Sequence, residues 1–245
     1  CGSPFRRVAM NHVAILVEHP QGSFLFDTGL GRDVEAQRAA DMPWWAKLLF
    51  RYEADKPARD QLETASIAPP QLIALSHAHW DHASAIKDFP EAEVLIAAPE
   101  TAFIGKSPRA VLPSQVSGPI RWRTLTFDDK PYAGFPQSRD LYGDGSAVLV
   151  PLYGHTPGSV GLFLTTATGK RFLFVGDAVW RRAALVAARP KFWMLGAIVD
   201  NDAPATDATL RLMSAVMKAN ADLIVLPAHD GEAQNEIGYF PTWAE

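Results

Sequence analysis

Four side chains able to bind a metal fall within six positions of this 245-residue chain: His77, His79, Asp81 and His82, in the run His-Ala-His-Trp-Asp-His. Alternate residues of an extended turn point the same way, so His77 and His79 can grip one cation together. Asp81 and His82, where the chain turns into a helix, then address an adjacent position. Three further donors, His155, Asp177 and His229, each follow an apolar run that reads as a strand. Five imidazoles and two carboxylates exceed the four ligands of a closed structural zinc site. They suit two metals that share a bridging carboxylate, each keeping a position for water. Imidazole with carboxylate favours zinc, with iron, manganese or cobalt as alternatives. The remaining histidines, His12 and His19, read as ordinary hydrogen-bonded or surface residues. A cation pair of this kind lowers the pKa of bound water from 15.7 toward roughly 7 and polarises a carbonyl or phosphoryl oxygen, which is the chemistry of hydrolysis. Asp81 is placed to relay a proton to the leaving group.

The elements that position these residues are legible as short apolar runs with polar punctuation. Strands are expected over residues 13–17, 23–26, 72–75, 94–97, 147–152, 160–164, 171–175 and 223–226. His19-Pro20-Gln21-Gly22 reads as a hairpin turn between the first two, and Thr168-Gly169 as a turn between two later ones. Residues 206–219 read as a helix with Leu210, Met213 and Met217 on one face and Thr206 as its cap. Residues 107–145, rich in proline and glycine, read as a long irregular insertion. Ligands that follow the carboxyl ends of several strands converge, as sites of α/β sheets do.

A weak internal repeat accompanies this order. Phe24-Leu25-Phe26-Asp27 precedes Leu72-Ile73-Ala74-Leu75-Ser76-His77, and Phe172-Leu173-Phe174-Val175-Gly176-Asp177 precedes Leu223-Ile224-Val225-Leu226-Pro227-Ala228-His229. The expected architecture is one α/β domain over residues 1–245. It is a four-layer αββα sandwich of two mixed sheets, with the site between its halves.

Composition narrows the class. With 48% hydrophobic and 20% charged residues and a net charge of −4, the chain is globular, with no basic footprint for nucleic acid. No apolar run approaches the roughly 20 residues of a membrane span. One cysteine permits neither an intrachain disulfide nor a cysteine-based metal site. The start Cys1-Gly2-Ser3-Pro4, without methionine, reads as a truncated start. The alternative is a processed lipoprotein, which leaves the cytoplasm and the cell envelope both open.

The motif His77-x-His79-x-Asp81-His82, followed by His155, Asp177 and His229, resembles the metallo-β-lactamase superfamily. Phe26-Asp27-Thr28-Gly29, Gly154-His155-Thr156-Pro157-Gly158 and Gly176-Asp177-Ala178 support the resemblance, which spans about residues 13–230. It implies the αββα sandwich and a dinuclear site. By position, His77, His79 and His155 hold the first metal, Asp81, His82 and His229 the second, and Asp177 bridges them. Asp27 is the candidate to orient a ligand histidine from behind; the alternative is a cap on the turn at Thr28-Gly29.

Within the superfamily, β-lactamases use a cysteine ligand or lack the bridging aspartate, unlike this chain. Sixteen residues follow His229, too few for the helical region of glyoxalase II-like thioesterases. The sequence resembles the N-acyl homoserine lactonase-like branch and its organophosphate-hydrolysing relatives. The segments carrying that likeness are Ile15-Leu16-Val17-Glu18-His19-Pro20-Gln21-Gly22 and Leu226-Pro227-Ala228-His229-Asp230. One departure is Trp180, where studied lactonases carry a substrate-contacting tyrosine three residues after the bridging aspartate. Indole N–H donates but neither accepts nor titrates as a phenol does.

Trp180, Phe192, Trp193 and Met194 are expected to line a substrate pocket. Residues 43–50 read instead as ordinary packing or a homodimer face. The expected function is a dinuclear-metal hydrolase whose bridging hydroxide opens a small lactone or cleaves an ester. Alternatives are a phosphotriester or aryl ester hydrolase on the same site, a diiron redox protein, which would need a flavin partner, and a non-catalytic metal- or ligand-binding module.

Overall fold

A computed structural model describes residues 10–53, 55–106 and 110–245. Cys1, on which the lipoprotein reading turns, and residues 107–109 of the irregular segment lie outside the described residues. The chain divides into two compact units, His12–Leu125 and Thr126–Glu245, the latter joined by Met10 and Asn11. Each unit carries one five-stranded mixed sheet with helices.

In the unit His12–Leu125 the strands are β1 (Ile15–Val17), β2 (Phe24–Phe26), β3 (Leu72–Ala74), β4 (Glu93–Ala97) and β5 (Arg121–Leu125), hydrogen-bonded in that order. β1 and β2 form an antiparallel hairpin closed by a Gly22 N–H to His19 carbonyl bond of 2.9 Å, as the turn residues predict. All later pairs are parallel. Phe24, Leu25 and Phe26 are all buried, so β2 is covered on both faces. That is why the strand reads as a continuous apolar run rather than an alternation.

The other unit holds β6 (Arg139–Asp140), β7 (Ala147–Pro151), β8 (Val160–Thr165), β9 (Arg171–Phe174) and β10 (Leu223–Leu226), ordered β10-β9-β8-β7-β6. Only β9 and β10 pair in parallel. The helix Ala203–Ala219 buries Leu210 and Met213 in this unit's core with Val150, Leu173 and Val225, and Met217 packs against the same cluster.

Two expectations are corrected. The segment 107–145 is not wholly irregular. It contributes β5, β6 and the short helix Pro113–Val116. β5 is an exposed edge strand, Arg-Trp-Arg-Thr-Leu, whose Arg121 and Arg123 reach Glu93 on its neighbour. A polar edge of this kind resists further pairing and carries no apolar pattern. Thr206 does not cap its helix: Asp202 does, accepting from the Ala205 N–H at 2.9 Å, one turn earlier. Pro204 at the first turn supports the earlier start, since its missing N–H is not needed there.

No helix among the described residues is long and apolar enough to cross a membrane.

Candidate metal centre

The first ligand set grows out of β3. Beyond the strand, Leu75 still bonds to Leu95 of β4, and the chain then bends at Ser76 and reaches His79, whose backbone is extended, before the helix Trp80–Ala83 begins. His77 and His79 offer ring nitrogens within 4.8 Å of each other, and so do His77 and His82. Their ring centroids lie 4.5 Å and 4.1 Å apart respectively. His77 and His82 are 1% and 2% exposed.

What holds these rings is a network on Asp27, which lies just past β2 with a positive φ of 58°. Its Oδ1 accepts the Ser76 N–H at 2.7 Å, and its Oδ2 accepts the Ser76 hydroxyl at 2.7 Å and His82 Nδ1 at 2.8 Å. The Ser76 hydroxyl gives its hydrogen to Asp27 and so receives one from His77 Nδ1, 2.9 Å away. Each Nδ1 therefore carries its proton toward the network, and Nε2 is left as the ligating atom. Asp27 does not act as a cap alone, because both its oxygens serve this network. Behind the turn, the fully buried Glu100 accepts the Ala78 N–H at 2.9 Å.

Asp81 sits on the same short helix, with Oδ2 3.1 Å from Nδ1 of His12. His12 also packs on Trp80, its ring centroid 5.5 Å away. Sequence reasoning set His12 aside. No local pattern could have found it, because its partner lies 69 residues along the chain.

The second set lies in the other unit, at the ends of β7, β9 and β10. The turn after β7 is shaped by Gly154, at φ 133°, where an added Cβ would stand 2.2 Å from the Thr206 amide nitrogen. The Asn201 and Asp202 N–H groups bond the carbonyls of His155 and Gly154, both at 2.9 Å. Asp177 follows β9, and Ala228, just before His229, donates to the Gly176 carbonyl at 3.1 Å.

Here too the imidazoles are oriented. His229 Nδ1 lies 2.6 Å from the Asn11 carbonyl oxygen, an acceptor only, so Nδ1 carries the proton. His155 Nδ1 lies 2.8 Å from Asp200 Oδ1, with the same consequence. The opposite nitrogens face one carboxylate: His229 Nε2 is 2.9 Å from Asp177 Oδ1, and His155 Nε2 is 3.5 Å from Oδ2. Two lone-pair nitrogens, each turned on a different oxygen of one buried carboxylate, are metal-donor groups with no proton between them, so these residues fit metal ions. Burial, and then the Lys191 ammonium, hold His155 below the ordinary imidazole pKa. Burial pushes Asp200 the other way, but the bonds from His155 and the Lys191 charge keep it below the usual carboxylate range.

Among the expected pocket residues, Trp180 is half-buried, and its Nε1 donates to Asp177 Oδ2 at 2.9 Å. Its ring meets His229 edge-on at 6.2 Å. Phe192, Trp193 and Met194 are exposed at the start of the helix Trp193–Val199. On the other unit, Trp44, Leu48 and Leu49 of the helix Trp44–Leu49 are exposed as well. Asp200, Lys191, Ser76 and Glu100 were not singled out from the sequence. Lys191 and Ser76 are not metal-ligand types, Asp200 and Glu100 stand in no metal-ligand motif, and the partners that matter come from other elements.

Two sheets of this topology, with histidine and aspartate at the strand ends, define a metal-dependent α/β hydrolase. The chain belongs to the metallo-β-lactamase superfamily, whose profile matches residues 7–229. A probable metallo-hydrolase of Mycobacterium bovis is 29% identical over 94% of this chain and 78% of its own length. An N-acyl homoserine lactonase, AttM of Rhizobium radiobacter, is 24% identical over 67% of this chain and 64% of its own. Among solved structures, an N-acyl homoserine lactone hydrolase with N-hexanoyl-L-homoserine at its metal centre superposes with a TM-score of 0.72. It is 16% identical, over 92% of this chain and 84% of that one. A dizinc quorum-quenching lactonase, AidC, gives 0.57 at 18% identity, over 89% and 72%.

Proposed function

We propose that the chain is a two-metal hydrolase that opens small lactones or cleaves related esters. His77, His79 and His155 hold one divalent ion, Asp81, His82 and His229 hold the other, and Asp177 is shared. The observation that carries this reading is the orientation of His229 and His155, each with Nδ1 committed to an oxygen and Nε2 turned on the Asp177 carboxylate. Zinc is the proposed metal, supported by the ligand types and by the dizinc lactonase of similar fold. When bound, the ions supply hydroxide near neutral pH and polarise the scissile carbonyl.

The chain's own residues do the rest. Asp27 and Ser76 fix the rings of His77 and His82, and Asp200 fixes that of His155. Asp81 Oδ2 relays to the leaving oxygen the proton given up by the attacking hydroxide, with His12 Nδ1 in hydrogen-bond reach. The substrate is a small molecule, as for the lactonase relatives.

A second reading, a phosphotriester or aryl ester hydrolase on the same residues, is favoured by Trp180. Its one donor is spent on Asp177, so it offers substrate an apolar ring rather than a hydroxyl.

A hydrolysis panel on the zinc-loaded protein tests both readings. It holds acyl homoserine lactones, other lactones, aryl esters, a phosphotriester, a glutathione thioester and a β-lactam. Lactones turned over fastest support the first reading and the phosphotriester or aryl esters the second. Preference for the thioester or the β-lactam overturns both.

A further inference from the structure

Lys191 is turned inward. Its side chain is 8% exposed, although a lysine on a loop ordinarily extends its ammonium to water. Nζ donates to Asp200 Oδ1 at 2.6 Å and to the main-chain carbonyl of Asp177 at 2.9 Å. It stands 3.4 Å from His155 Nδ1 and 5.3 Å from the centroid of the Trp180 ring. One ammonium thus touches the groups that hold both His155 and Asp177. Asp200 is the acceptor for His155 Nδ1, and Trp180 is the donor to Asp177 Oδ2.

We propose that Lys191 is a positioning residue for the His155 and Asp177 ligand pair. It clamps Asp200 against the imidazole, ties down the Asp177 peptide, and backs the indole that orients the Asp177 carboxylate. The proposal rests on the metallo-hydrolase reading above and goes beyond it in assigning a cation that is neither ligand nor substrate contact.

The chemistry follows from donor counts. Asp200 has only acceptors and Lys191 only donors, so the Asp200 carboxylate is locked between the ammonium and His155 Nδ1. While that lock holds, the His155 proton stays on Nδ1 and Nε2 faces Asp177. Removing the ammonium frees Asp200 to rotate toward other donors and lets the Asp177 peptide move, so both ligands lose their aim. Groups behind metal ligands typically contribute about 10–100-fold in metal affinity.

The test compares the full chain with Lys191→Met and the milder Lys191→Gln, which keeps an amide donor without the charge. Three quantities are read: the zinc dissociation constant by competition with a chromophoric chelator, the visible spectrum of the cobalt(II)-substituted protein, and the His155 tautomer in the metal-free protein by 15N NMR. The expected result is zinc binding at least about tenfold weaker in Lys191→Met. An altered cobalt spectrum and a mixed His155 tautomer accompany it, while the metal-free variant stays folded. If Lys191→Met does not fold, Lys191→Gln carries the same comparison. Wild-type affinity, spectrum and tautomer in a folded variant would overturn the proposal and leave the hydrolase reading standing. A wild-type protein that binds neither zinc nor cobalt overturns both.

Discussion

The indole Nε1 of Trp180 donates to Oδ2 of Asp177 at 2.9 Å, three residues down the chain from the carboxylate it holds. The same oxygen faces His155 Nε2, and the other faces His229 Nε2, so Trp180 limits how the carboxylate can turn between two imidazoles. Replacing Trp180 with Phe keeps most of the ring and removes the donor. Zinc affinity should fall about tenfold, read by chelator competition. An unchanged affinity would show that the indole contributes packing alone.

Asp27 serves Ser76 through both oxygens and His82 through one. Asp27→Ala leaves the buried Ser76 N–H, the Ser76 hydroxyl and His82 Nδ1 without their common acceptor, and so also loosens the hydroxyl that holds His77 Nδ1. Zinc affinity should drop about 10–100-fold and the metal-free protein should lose roughly 1–3 kcal/mol. Chelator competition and urea unfolding of the same sample separate the two effects.

Metal removal should abolish hydrolysis and restoration of zinc should return it. Because the native state alone gathers these ligands, bound metal should also raise the thermal midpoint, increasingly with free zinc concentration. Calorimetry with and without a chelator reads this directly. Equal midpoints at all zinc concentrations would contradict a specific site.

Asp81→Asn tests the proton role assigned to Asp81 Oδ2. The expected outcome is lower kcat, by about 10²–10⁴-fold, with metal content measured on the same preparation. Unchanged turnover at full metal content would remove Asp81 from the proton path.

Glu236, paired with Arg182, has its carboxyl pKa lowered by that hydrogen bond. A lowered folded-state pKa stabilises the protein above the unfolded carboxylate's pKa, and that stabilisation is lost as pH falls through the folded value. Glu236→Gln should therefore lower the thermal midpoint slightly at pH 7 and by less at pH 2.5. The difference is small because the pair is exposed. A thermal melt at both pH values checks it.

Much of the scaffold was legible because the strands that lead to the candidate ligands are largely buried. The runs around Phe24, Leu72, Phe172 and Leu223 stand out as apolar, and they become two parallel pairs, β2 with β3 and β9 with β10. In the first, Phe24 faces Leu72 and His77 lies five residues beyond Leu72. In the second, Phe172 faces Ile224 and His229 lies five residues beyond Ile224. The weak repeat in the sequence thus corresponds to equivalent strand pairs that each end in a histidine. β5 and β6 escaped notice because an exposed edge strand and a two-residue strand bury too little to leave a pattern. The cap at Asp202 was missed because Thr206 is also a capping type, and the backbone path selects between them.

The sequence by itself determined the family, pointed to seven candidate ligands by type and spacing, and gave the hydrolytic class. These depend on residue type and local spacing, which a linear chain records. The tertiary structure decided which nitrogen of His77, His82, His155 and His229 is committed and which partner commits it. Asp200 reaches His155 across 45 residues, Asp27 reaches His82 across 55, and the Asn11 carbonyl reaches His229 across 218. It also decided that Lys191 points inward to Asp200 rather than out to water. Such contacts form only when the folded backbone brings distant segments within hydrogen-bond distance, so no spacing along the chain encodes them.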